Sequence, residues 1–231
     1  DVMEERVVPF SALEITLADV TEAMGYGQHL PDDQTAALID RLLPAFEKIE
    51  PRYCLGLFDG VVETKSLVVG GTLFHTGAAV AAVMHGAERF AAFVATAGEE
   101  YEQCRTKLVG AQGDILVQYV ADAIGSAIAV KLGAYVERRL SEMVGSDHIS
   151  HHMSPGYCHW PIADQRGLFD LLGGNPCGVR LSEGCLMYPV KSLSGIMAIG
   201  GHVKQVANSC DICPMVRCFR RHTSKRHPNK T

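Results

Sequence analysis

The sequence predicts a mixed, layered domain of strands and helices, and three observations lead there. Short extended runs and helical runs follow one another in strand–turn–helix order across residues 51–108. A helical pattern from Gly113 to Val144 is far longer than any other. The chain has 231 residues, of which 47% are hydrophobic and 20% charged, enough to close a core without disulfide or metal staples. That composition excludes a disordered chain, a collagen-like chain and a long coiled coil.

Taken in order, residues 12–50 read as helical. Leu13, Ile15 and Leu17 lead into a helix over Asp19 to Met24, which Gly25-Tyr26-Gly27 ends. Pro31-Asp32-Asp33 opens a second helix, whose Ala37, Leu38, Leu42, Leu43 and Phe46 recur at helical spacing and bury one face. Residues 51–75 are extended: Tyr53, Leu55 and Leu57 alternate, and Leu67-Val68-Val69 is a short buried strand. Gly77 to His85 is an Ala-rich helix, Ala91 to Thr96 a strand, and Glu99 to Leu108 a helix after the Ala97-Gly98 turn. Along Gly113 to Val144, Leu116, Tyr119, Val120, Ala123, Ala127, Val130 and Ala134 follow the 3–4 spacing. Ala121, Gly125, Ser126, Ala129 and Gly133 are small enough to admit another backbone. After Gly145 comes a loop rich in His, Pro, Ser and Gly over 146–163. A short helix over Leu168 to Leu172 and strands at Val179-Arg180-Leu181 and Ile196 to Ile199 complete the order.

Charge is uneven. The net charge is −5, yet the last fifteen residues hold Arg217, Arg220, Arg221, Lys225, Arg226 and Lys230 and no acid. The acidic body does not read as a nucleic-acid binder; the basic tail reads as a solvated terminus or a nucleic-acid contact. The most apolar stretch, Leu116 to Val136, is interrupted by Gln118, Asp122, Ser126 and Lys131, so no membrane span is expected. No secretory signal opens the sequence, and the cytoplasm is the expected location. In a reducing compartment, eight cysteines point to metal or cluster ligands more than to disulfides.

Two stretches carry chemistry. In Ser154-Pro155-Gly156-Tyr157-Cys158-His159-Trp160, a Pro-Gly turn lets a ligand approach the backbone, and Tyr157 and Trp160 can stack on a planar ring such as adenine. A turn packed by two aromatics explains the same residues without a ligand. In Leu181 to Gly195, an extended chain places the hydroxyls of Ser192 and Ser194 on one side and Lys191 on the other.

Together the two stretches resemble the activation (reactivation) domain of cobalamin-dependent methionine synthase. In that family a Pro-Gly-Tyr turn lies a few dozen residues before Leu-Thr-Glu-Ser-x-x-Met-x-Pro-x-x-Ser-x-Ser-Gly. Here Pro155-Gly156-Tyr157 is followed by Leu181-Ser182-Glu183, Met187-x-Pro189 and Ser192-x-Ser194-Gly195, and Ala121-Asp122-Ala123 has a counterpart in the family's helix. The resemblance implies an α+β domain, a twisted antiparallel sheet flanked by helices, over residues 1–205. It implies S-adenosylmethionine (AdoMet) in a groove beside the turn, with His152, Ser154, Pro155, Gly156, Tyr157, Asp122, Tyr188 and Lys191 as the residues around it. It also implies a role: docking over a corrinoid domain, so that an electron from a low-potential donor and a methyl group from AdoMet restore inactive cob(II)alamin to methylcobalamin.

Two positions depart from the family. His152 stands where an Arg normally precedes the Gly-Tyr by four residues, and Ser126 replaces an acid one helical turn after Asp122. A neutral imidazole cannot make the bidentate carboxylate contact of a guanidinium. These departures favour an alternative, an iron–sulfur reductive activator of a corrinoid protein that does not use AdoMet. No Asp-x-His-x-x-Gly corrinoid stretch occurs in these residues, so the corrinoid partner is expected to act in trans.

Residues 206–231 form a cysteine-rich basic appendix. Cys210, Cys213 and Cys218 have C-x2-C-x4-C spacing. With Cys185, Cys177 or Cys158 as a fourth ligand they can hold an iron–sulfur cluster; with His222 they can hold zinc; they can also be free or redox thiols. The zinc version joined to the basic tail is a third reading, a nucleic-acid-binding module. His148, His151 and His152 form an H-x-x-H-H group; a spacing of three places two imidazoles together on a helical turn, but the loop setting of this segment argues against a metal site.

Overall fold

The structure is a computed structural model, and it describes residues 2–27, 29–110 and 113–203. A five-stranded antiparallel sheet runs through its middle. It is built from β1 (Val2–Val7), β2 (Arg52–Phe58), β6 (Arg89–Thr96), β10 (Ser192–Gly200) and β7 (His148–Ile149), in the order β1-β2-β6-β10-β7. Residue 2 and residue 200 therefore belong to one sheet.

The sheet is covered on both faces, which is why β6 reads as a continuous apolar run. Ala91, Phe93 and Ala95 face one core, with Tyr53, Leu55, Met197 and Ile199 beside them. Against this face lie α1 (Leu17–Ala23), α2 (Asp33–Leu42), α4 (Glu99–Val109) and α5 (Ile115–Val144). Phe90, Ala92 and Val94 face a second core with Ile196, Ala198 and Cys54. That face is covered by a small sheet of β3 (Gly60–Val62), β4 (Leu67–Val69) and β5 (Thr72–Phe74), by α3 (Gly77–Val83) and by α6 (Gln165–Leu171). A two-stranded ribbon, β8 (Arg180–Leu181) with β9 (Met187–Tyr188), precedes β10.

Helix ends follow local chemistry. Thr16 and Asp19 form a capping box on α1, Asp32 caps α2 by accepting from the Thr35 N–H, and Asp114 caps α5 by accepting from the N–H groups of Leu116 and Val117. Gly145, at φ +67°, closes α5.

Helix α5 is long and apolar enough to cross a membrane by length and composition. Half of its most apolar window is nevertheless buried against the first core, through Val120, Ile124, Ile128, Leu132 and Val136. Its small residues serve packing, with a partner the spacing alone did not reveal: a side chain where a backbone was expected. A Cβ on Gly125 would lie 2.3 Å from the Tyr101 phenol, whose hydroxyl donates to the Ala121 carbonyl at 2.8 Å.

Candidate functional site

The bend at residues 154–157 is tied to the central sheet. Met153 bridges Ile196, and the Ser154 hydroxyl donates to the Ser194 carbonyl. The Gly156 N–H donates to the Trp160 carbonyl, closing a tight loop in which Gly156 takes φ +92°. A Cβ on Gly156 would also press on Ile162 at 3.0 Å, so a side chain is disfavoured twice.

The two aromatics of this stretch separate. Tyr157 is exposed, whereas Trp160 is 1% exposed and packs edge-on against Phe74, with its indole N–H donating to Asp164 at 2.9 Å. The expectation that Trp160 stacks on a planar ligand is therefore corrected: it is a core residue whose polar edge is already satisfied.

Strand β10 is the hub of the region. The hydroxyls of Ser192 and Ser194 lie on one side of it: Ser192 donates to Thr96, and Ser194 accepts from the Gln165 side-chain amide at 2.6 Å. Lys191, just before the strand, reaches α5 instead. Its ammonium is 2.8 Å from Asp122 Oδ1 and donates to the Ser126 hydroxyl at 3.0 Å. The lysine side chain is 12% exposed and the Asp122 carboxylate 52%, so the acid side of the pair faces solvent. Tyr188 is exposed, with the Arg180 guanidinium 5.9 Å from its ring centroid.

His152 lies elsewhere. Its ring Nδ1 is 2.6 Å from Glu137 Oε1, and its backbone N–H donates to the same oxygen at 3.2 Å. The imidazole sits edge-on to Phe93 and beside Gly133, where a Cβ would lie in ordinary contact with the ring at 3.7 Å. His151 reaches Glu137 Oε1 as well, at 3.0 Å. Burial opposes charge on Glu137, but hydrogen bonds from His151 and His152 overcome it and hold the carboxyl well below the usual range. From Asp122 to Glu137, α5 advances about 22 Å. The candidate residues therefore gather at two places: Asp122 and Lys191 at one end, His152 with Glu137 at the other.

Glu137 and its pairing with His151 were not legible in the sequence. The loop reading of the H-x-x-H-H group argues against a shared site; the structure keeps His148 apart, in β7, but brings the adjacent His151 and His152 together. Cys210, Cys213 and Cys218 lie outside the described residues. Cys185 is buried in the turn between β8 and β9, and Cys158 and Cys177 are buried as well. Burial and the nearby Glu5 carboxylate push the Cys177 thiol far up, a poor setting for a thiolate ligand. Two surface concavities lie away from all these residues. One is lined by Glu63, Ala78 and His85, the other by Phe10, Leu43 and Lys48.

A family described as "Vitamin B12 dependent methionine synthase, activation domain" matches residues 47–205. This is an α+β domain of the activation-domain class, and the chain belongs to that family. The fold agrees. A solved structure titled "Crystal Structure of the MetH Reactivation Domain bound to AdoHcy" superposes with a TM-score of 0.64 at 15% identity, over 89% of this chain and 81% of that one. No curated protein matches.

Proposed function

We propose that this chain binds AdoMet and acts as the activation unit of a corrinoid-dependent methyltransferase, methionine synthase first, in the cytoplasm. Family membership supplies the class of activity. The observation that carries the reading is the way β10 joins the candidate parts: Ser194 holds the bend before Tyr157, and Lys191 beside the same strand pairs with Asp122 of α5. The amino-acid end of AdoMet carries one ammonium and one carboxylate. A lysine and an aspartate side by side offer each charge its complement. Tyr157 and Tyr188, both exposed, supply aromatic faces suited to a nucleoside. The related reactivation domain was solved bound to AdoHcy, the thioether that AdoMet leaves after giving up its methyl group, which makes AdoMet the first ligand to test.

In this reading the chain's residues bind and orient AdoMet, and the corrinoid, held by a module outside these residues, supplies the cobalt chemistry. A low-potential donor supplies the electron. The Cys210, Cys213 and Cys218 run is carried along as a candidate cluster or zinc site on its spacing alone, with iron, sulfide and zinc analysis of anaerobically purified protein as its test.

Calorimetry with AdoMet tests the reading. Binding at micromolar strength is expected, and Lys191→Met should weaken it by about tenfold, or ~1.4 kcal/mol. Absence of binding would overturn it in favour of a reductive activator that does not use AdoMet. One observation favours that second reading: His152 is spent on Glu137 and offers no cation to a ligand carboxylate.

A further inference from the structure

We propose that Glu137, His151 and His152 form a binding site for a late first-row divalent cation, with Zn2+ as the reference ion. The site goes beyond the AdoMet reading and does not depend on it. One ring nitrogen from each imidazole and a carboxylate oxygen lie within 4.8 Å of one another, and both Nδ1 atoms approach a single oxygen, Glu137 Oε1, at 3.0 and 2.6 Å. Two donors on one tetrahedral zinc, at Zn–N and Zn–O lengths of about 2.0–2.2 Å, stand about 3.3 Å apart. Each imidazole nitrogen has only to draw back from Glu137 Oε1 by less than an ångström.

The donors are held in advance. The Ser150 N–H donates to the Ala198 carbonyl, and Met153 pairs with Ile196, so the two histidines lie between two anchor points on β10. The rings are packed against each other, with centroids 4.3 Å apart, and His152 is braced by Phe93. Glu137 comes from the last third of α5, a rigid element.

Nearby cations are engaged elsewhere: Arg139 with Glu4 and Glu142, Arg138 over the Tyr135 ring. Among the described residues, the two imidazoles are the only ion-pair partners of Glu137. Two imidazoles and one carboxylate suit zinc or its neighbours rather than calcium or magnesium, which prefer oxygen. The three side chains are 19–25% exposed, so solvent or a ligand oxygen can reach the remaining coordination positions.

The test uses the full chain carrying Cys210→Ser, Cys213→Ser and Cys218→Ser, so that the tail thiols cannot contribute. The protein is stripped of metal and titrated with Zn2+ alone by calorimetry. One ion per chain is expected. Glu137→Gln and His151→Gln should each weaken it by at least the ~10-fold that even outer-shell partners of a metal are worth. Circular dichroism establishes that each variant is folded, and either variant suffices. X-ray absorption should show nitrogen and oxygen ligands only. No binding, binding that both folded variants leave unchanged, or a sulfur ligand would overturn the proposal. AdoMet affinity is measured separately, so failure of one proposal leaves the other intact.

Discussion

At the residue scale, the arrangement turns on a few side chains that are either fully committed or left available. Tyr101 is committed: it is buried, stacks on Phe46 and donates to the Ala121 carbonyl through space that Gly125 leaves open. Gly125→Ala should destabilise the protein by about 1–3 kcal/mol through overpacking, and Tyr101→Phe by ~1 kcal/mol through the lost hydrogen bond. Urea unfolding followed by circular dichroism checks both; an unchanged midpoint for Gly125→Ala would contradict the packing account. The buried thiols make a second case. Burial, with the Glu5 carboxylate nearby, pushes the Cys54 thiol up to about 11 and Cys177 higher still. Raised values keep both groups neutral at pH 8, where only a thiolate reacts with iodoacetamide. Mass spectrometry of the folded protein should find Cys54 and Cys177 unmodified at pH 8 and labelled only after unfolding.

At the element scale, much was legible and the reasons are physical. The strand at Ala91 to Thr96, the long helix ending at Gly145 and the helix opened by Asp32 each carry a strong local signal: an apolar run, a 3–4 repeat, a cap. Strand β10 is longer than its apolar run, Ile196 to Ile199, because Ser192, Ser194 and Gly195 carry no apolar strand signal. They lie in β10 since Thr96, Val94 and Phe93 pair with them, a long-range constraint that no local window contains. The site divides in the same way. Ser192 and Ser194 on one side and Lys191 on the other follow from a two-residue period, whereas the contact between Lys191 and Asp122 joins residues that β7, α6, β8 and β9 separate along the chain. The contact of Glu137 with His151 and His152 depends on how α5 crosses the sheet. The same architecture predicts protection. β6 is the middle strand, with its residues buried on both faces. Amide exchange should be slowest in Phe90–Ala95 and fastest, among the sheet strands, in the two-residue β7 at the edge. Fast exchange in β6 would contradict the sheet order.

At the scale of the whole molecule, one sheet connects the N-terminal strand to β10, so the bend at 154–157, the Lys191–Asp122 pair and the Glu137 cluster are all fixed to a single scaffold. That suits an accessory role in which the chain presents a ligand to a reacting centre held elsewhere, since positioning is what a rigid scaffold contributes. The exposed Tyr157, Leu186, Tyr188 and Val190 are apolar surface for which the described residues provide no cover. The measurement that tests the account most directly is transfer of an isotope-labelled methyl group. The full chain, labelled AdoMet, a low-potential reductant and a methionine synthase that lacks its own activation domain and is inactivated as cob(II)alamin are combined. Label should appear on the corrinoid only when all four are present, and Lys191→Met should slow its appearance. Recovery of activity with no label on the corrinoid, or label that accumulates equally without the chain, would contradict the account.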